Sequence, residues 1–221
     1  MPSPSAQTRQ EQKQTTRRAL VAAARRVLTR RGYSATTIPE IVREAGVAHG
    51  TFYVHFAGKE ALVDALLAEF NAALAARLAP VLVSGPSGRG REELVRGAAR
   101  AFLDQLESDP SFVSWVVERM AAGLPSEALR DGVNPPALQL LVGALSAEAA
   151  GRLPASRLTL AAQALLALWI RVGLQRVSGP GVSRDEAEDV LVTMTVGALG
   201  ALLAPDPNRV DRVGAERKRE V

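Results

Sequence analysis

The chain has 221 residues, a formal net charge of +4 and 47% hydrophobic residues, enough to bury a sizeable core and to exclude wholesale disorder. It contains no cysteine, which excludes disulfides and thiolate metal sites and fits a reducing compartment. The charge is uneven: residues 1–60 hold ten Lys and Arg against four Asp and Glu, whereas residues 61–221 hold 17 against 19. A basic first quarter on a near-neutral remainder suggests a polyanion met by the N-terminal part.

Residues 1–13, rich in Ser, Pro, Gln and charge, read as a flexible arm without the apolar core of a signal peptide. From Thr15 the pattern is helical, with Leu20, Ala23, Ala24, Val27 and Leu28 at three- and four-residue spacing and Gly32 as its stop. Thr37-Ile38-Pro39-Glu40 is a capping box that opens a short helix, and Gly46 ends it. A second short helix follows over 48–54. Two short helices joined by a tight glycine-containing turn are the helix-turn-helix layout, spanning about 37–56 within a domain of residues 14–60. A longer connecting helix runs from Gly58 to about Leu78, and Pro80 with the SGPSGRG segment ends it.

Everything beyond reads as helix: Arg91–Leu106, Ser111–Ala122, 126–150 with an interruption at Asn134-Pro135-Pro136, Arg157–Val177 and Arg184–Ala204. The expected fold is therefore all-α. The connecting helix occupies 61–80, a regulatory and dimerisation domain 81–204 and a mobile tail 205–221. The longest nearly apolar run, Val190–Ala204, is shorter than the roughly 18–20 residues that span a bilayer, so a soluble cytoplasmic protein is expected.

The stretch AGVAHGTFYVHFAGKEAL at 45–62 gathers both histidines of the chain and three of its nine Phe, Trp and Tyr residues. His49 and His55 are six apart and do not share a helical face, and no carboxylate pattern of a metal site surrounds them. Thr51 and His55 are one turn apart but lack the setting of an activated nucleophile. A DNA-reading helix accounts for the same residues. Val47, Phe52 and Phe56 supply an apolar back, while His49, Gly50, Thr51, Tyr53 and Val54 supply a small or polar front. Gly50 lets the backbone approach a duplex, the Thr51 and Tyr53 hydroxyls can donate to phosphates, and His49 can meet a base edge. Lys59 opens the next helix, where a cation and free N–H groups can meet one phosphate.

The segment ATTIPEIVREAGVAHGTFYVHFAGKEAL resembles the DNA-binding domain of TetR-family transcriptional regulators, with their TT-x-x-x-I, A-G-V-x-x-G-T-x-Y-x-H-F and K-E-x-L elements and a preceding Arg31-Gly32-Tyr33. The resemblance covers about residues 14–70. It implies that Thr37, Thr51, Tyr53, His55 and Lys59 contact DNA and that position 49 often carries a reading side chain. One departure is Ala48, where the family commonly has a Ser or Thr cap; a lost cap costs on the order of 1 kcal/mol.

For residues 81–221 the resemblance implies a helical domain that binds a small molecule and dimerises through its last two long helices. Independently, Leu158–Ile170 and Val190–Ala204 are apolar nearly all round, with Leu165, Val196, Gly197 and Gly200 as candidate interface residues. Candidate ligand contacts are the large apolar Phe102, Phe112, Trp115, Met120 and Trp169 and the charged Glu118, Arg119 and Arg171. No catalytic residue, cofactor or metal is expected. The reading is a homodimeric, non-enzymatic repressor released from a palindromic double-stranded operator by a small, largely apolar effector. The alternatives are a ligand-independent regulator or activator of the same fold and, last, an enzyme built on the helical domain.

Overall fold

The computed structural model describes residues 4–83, 90–121 and 135–204, and the side chains of Arg119 and Met120 fall outside that description. The proposed tail at 205–221 and the first part of the 126–150 helix also lie outside the described residues. All regular structure among the described residues is helical: α1 Pro4–Ala35, α2 Ile38–Ala45, α3 His49–His55, α4 Lys59–Val83, α5 Arg91–Glu107, α6 Pro110–Ala121, α7 Pro135–Ala149, α8 Ala155–Ser178 and α9 Arg184–Leu203.

Helix α1 begins well before the expected Thr15, so residues 4–13 are helical where an arm was expected. Apart from Pro4 at its first position, this segment holds mostly Gln, Glu, Lys, Arg and Thr, without an internal Pro or Gly to break the ladder. Gly32 interrupts the helix with φ 75° and ψ 175°, a backbone state that favours glycine. Helix α4 likewise continues through Pro80 to Val83. A proline close to a helix end removes one ladder bond without stopping the last turn.

The small N-terminal domain packs α1, α2, α3 and the start of α4 around Leu20, Ile41, Phe52, Leu62 and Leu66, all essentially inaccessible. In the larger part α5 and α7 pack on α4, α8 packs on α7 and α5, and α9 packs on α5 and α8. Helix α6 packs on α1 and α8 and so joins the two parts. An aromatic chain follows the joint: Phe70 of α4 stacks on Phe112 at 4.4 Å, Phe112 meets Trp115 edge-on at 4.7 Å, and Trp115 stacks on Tyr33 at 6.4 Å. Arg25 pairs with Asp109, whose other oxygen accepts the Phe112 N–H at the start of α6.

Helices α5 and α9 are fastened by the buried carboxylate of Glu188, which accepts from Arg96 at 3.3 Å and Arg100 at 3.1 Å. Burial acts to raise its pKa, but the two guanidiniums outweigh it and hold it lowered. By length and composition two helices, Lys59–Leu82 and Ala155–Ser178, are apolar enough to cross a membrane, which the longest unbroken apolar run does not convey. In the fold each lays one face on the common core, through Leu62, Leu66 and Leu74 in α4 and Leu158, Ala162 and Leu165 in α8.

Candidate nucleic-acid interface

Thr37 sits at the N-cap of α2 with extended backbone. Its N–H donates to Glu40 Oε2 at 3.3 Å and its hydroxyl to the same oxygen at 3.0 Å. The Thr37 hydroxyl bond, then the Arg31 charge, lowers the Glu40 pKa against the opposing effect of burial. The hydroxyl is thus engaged within the helix start. Gly46 closes α2 in the left-handed conformation, its N–H returning to Arg43 and Val42 carbonyls, and the chain turns directly into α3.

The seven-residue α3 divides by face as the spacing predicts. Phe52 and Phe56 are buried and in mutual contact, with ring centroids 5.8 Å apart. On the other side Tyr53 is 53% exposed and Val54 65% exposed, so the helix presents an outward surface of His49, Gly50, Tyr53 and Val54. The His49 and Tyr53 rings meet edge-on at 5.5 Å, one turn apart. Thr51 is half-buried beside them. A Cβ at Gly50 would meet nothing within 4 Å, so nothing within the fold demands glycine there. Ala48 caps α3 through its backbone alone, its carbonyl accepting the Thr51 N–H at 2.9 Å.

His55 is half-buried, and its Nδ1 is enclosed without a hydrogen-bond partner. Burial, reinforced by the charges of Lys13 and Arg17, lowers its pKa and favours the neutral ring. Lys59 differs from the sequence expectation. Its ammonium donates to the Tyr33 carbonyl at 3.1 Å and the Thr36 carbonyl at 3.2 Å, and stands 4.2 Å from the Tyr33 ring centroid. The carbonyls of Tyr33, which also accepts the Thr36 N–H, and of Thr36 draw the cation inward and tie the start of α4 to the end of α1.

Several candidate ligand and dimer residues also move. Phe102 and Trp169 line a cavity of about 80 Å³ between α4, α5, α7, α8 and α9. Its walls are Leu, Ala, Val and aromatic side chains, with Glu148 and Thr195 as the polar exceptions. Thr195 Oγ1 accepts the Trp169 indole N–H at 2.8 Å, which satisfies both groups. Trp115 is instead wedged between Phe112 and Tyr33, outside the cavity lining. Glu118 is absent from the lining as well: its carboxylate accepts the backbone N–H of Tyr33 and Ser34, groups freed where Gly32 breaks α1. Arg171 is exposed on α8. Leu165, expected at a dimer contact, is buried and lines the cavity, because it lies on the inner face of α8. Gly197 and Gly200 are exposed on α9 with open space where a Cβ would stand, and Val196 is half-buried.

The two-helix unit with its buried Phe pair and exposed Tyr53 face has the layout of a DNA-reading head, and residues 20–66 match the family of bacterial regulatory proteins, tetR family. The N-terminal head is similar to that of the TetR family. The regulator TtgR of Pseudomonas putida is similar at 44% identity over 57 residues, 26% of this chain and 27% of that protein. Alignments with curated relatives span 13 to 27% of their lengths. Among solved structures, a TetR-family transcriptional regulator from Streptomyces coelicolor has a TM-score of 0.65 at 22% identity, covering 93% of this chain and 98% of that one. The TetR-family repressor AlkX from Dietzia, implicated in n-alkane biodegradation, has a TM-score of 0.61 at 21% identity, covering 85% and 97%. These two likenesses extend the shared fold beyond the N-terminal head to nearly the whole chain.

Proposed function

We propose that this chain is a TetR-family regulator: a cytoplasmic, homodimeric transcriptional repressor that leaves a palindromic operator when a small, largely apolar ligand enters the helical domain. The observation that carries the DNA-reading part is the outward face of α3: His49, Gly50, Tyr53 and Val54 project from a helix anchored by Phe52 and Phe56. Tyr53 and Thr51 supply hydroxyl donors for phosphates, and His49 is the candidate base reader. Lys59 and Thr37 act chiefly by positioning α3 through the bonds described above.

The cavity supports the ligand. Its size is several times the roughly 10–15 Å³ that admits one water, and its walls favour an apolar body. Helix α4 carries Leu74 and Leu78 at the cavity and Leu62 and Leu66 in the DNA-reading head, so a shift of α4 on ligand entry reaches α3. Dimerisation is supported by the outer faces of α8 and α9, where Leu160 is 67% and Met194 54% exposed among Ala164, Ala167, Val190, Gly197 and Ala201. A contiguous apolar face of this kind calls for a partner, and a second copy of the chain covers it by two-fold symmetry.

The reading is tested by titrating n-decanol or naphthalene into the protein bound to a duplex selected from a random pool. Quenching of tryptophan fluorescence together with release of the duplex is expected. An apolar compound that quenches Trp169 without changing duplex affinity contradicts ligand-controlled release.

A further inference from the structure

The cations of α1 divide into two groups. Arg25 is paired with Asp109 and Glu69, Arg26 and Arg30 with Glu44, and Arg31 with Glu40. Arg9, Lys13, Arg17 and Arg18, nearer the N-terminus, are exposed and have no ion pair among the described residues, and the first three stand at four-residue intervals. Residues four apart share a helical face, so these three form a stripe with about 6 Å between successive positions along the axis. The sole carboxylate of α1, Glu11, lies two residues from both Arg9 and Lys13 and faces away from them. Like charges at this spacing repel one another, so the free helix bears a cost that a polyanion would relieve.

The stripe also has a location. The Arg17 guanidinium stands 5.0 Å from the ring centroid of Phe56, the residue that closes α3. Lys13 and Arg17 are both close enough to His55, the last residue of α3, to disfavour its protonation. The cations therefore run along an ordered helix beside the end of the recognition helix. They lie outside the family match, which begins at residue 20.

We propose that Arg9, Lys13 and Arg17 make a second contact with DNA, a cationic stripe that grips backbone phosphates next to the segment read by α3. The assignment rests on the DNA-reading role of α3. Phosphate contacts carry no sequence information, so the stripe raises affinity for every duplex alike and leaves discrimination to His49 and its neighbours.

The test measures binding of the full-length chain by fluorescence anisotropy, between about 50 and 200 mM salt, to a duplex selected from a random pool and to a random-sequence duplex of equal length. The triple variant Arg9→Ala, Lys13→Ala, Arg17→Ala should lower the slope of log affinity against log salt by about two to three, close to 0.9 per lost phosphate contact. Affinity should fall by the same factor on both duplexes. The charge-conserving variant Arg9→Lys, Lys13→Arg, Arg17→Lys should retain the wild-type slope. Both variants should remain folded, with cooperative thermal melting, because all three side chains are exposed. An unchanged slope in the alanine variant, with the wild type still preferring the selected duplex, overturns the stripe and leaves the role of α3 standing. A loss confined to the selected duplex also overturns it. Failure of the wild type to bind either duplex overturns both assignments.

Discussion

Glu118 of α6 accepts the backbone N–H of Tyr33 at 2.9 Å, across 85 positions of sequence, and takes that of Ser34 at 3.1 Å with its other oxygen. The break at Gly32 frees these donors, and it requires glycine twice over. Its φ of 75° disfavours a side chain, and a Cβ there would lie 3.0 Å from Glu118 Oε2. This carboxylate ties the larger helical part to the N-terminal head, alongside the Arg25–Asp109 pair. The bonds from Ser34 and then Tyr33 hold the Glu118 pKa below its ordinary value of 4.5. A lowered carboxylate pKa gives stability that is present above the unfolded value and lost as pH falls through the folded one. Glu118→Gln should therefore lower Tm at pH 7 and show a smaller further loss than wild type between about pH 5 and 3. Thermal melting as a function of pH checks both points.

Gly50 separates stability from binding. A Cβ at this position meets no atom within 4 Å, and alanine is a better helix former by about 1 kcal/mol. Gly50→Ala should raise or preserve Tm while weakening duplex binding, since only the approach of DNA makes the missing side chain useful. Calorimetry and anisotropy on one preparation supply the comparison.

Ala48 leaves the start of α3 without a side-chain cap although its backbone, φ −66° and ψ 148°, suits one. Ala48→Ser should stabilise the fold by about 1 kcal/mol. Denaturant unfolding measures the gain. The same experiment shows whether a firmer recognition helix binds DNA more tightly.

Gly173 lets α8 lie directly on α5. An added Cβ would stand 2.2 Å from Leu106 Cδ1 and 2.7 Å from the Phe102 ring, which itself lines the cavity. Gly173→Ala should cost roughly 1–3 kcal/mol by overpacking, read from denaturant unfolding. Displacement of Phe102 should also alter tryptophan quenching by apolar probes, because Phe102 meets Trp169 at 5.5 Å.

Local signals in the sequence convey the helices well. The Thr37-Ile38-Pro39-Glu40 start, the Gly46 stop and the division of Phe52 and Phe56 from Tyr53 all appear as the spacing predicts, because each depends on neighbours within a few residues. The spans of α5, α8 and α9 agree with their periodicity to within two residues at either end. What spacing could not convey is which charge meets which. Lys59 reads as a phosphate cation, and its spacing does not announce that it also meets the Tyr33 and Thr36 carbonyls. Glu118 reads as a ligand contact until the break at Gly32 turns two N–H groups towards α6. Both outcomes depend on residues brought together only by packing. The Arg31-Gly32-Tyr33 corner is the hint in the sequence, since a helix end presents backbone groups that need partners. The face of Leu165 was equally hidden, because α8 is apolar on both its inner and outer sides.

Whether α3 reads operator DNA as one half of a two-fold pair is tested most directly by selection from a pool of random duplexes. Enrichment of a palindrome is expected, its half-sites centred about one helical turn, or a multiple of it, apart, roughly 34–36 Å per turn. His49→Ala should change the preferred base within each half-site, and Tyr53→Phe should weaken binding to all duplexes equally. Recovery of no enriched sequence by the wild-type chain would contradict a DNA-reading role for α3.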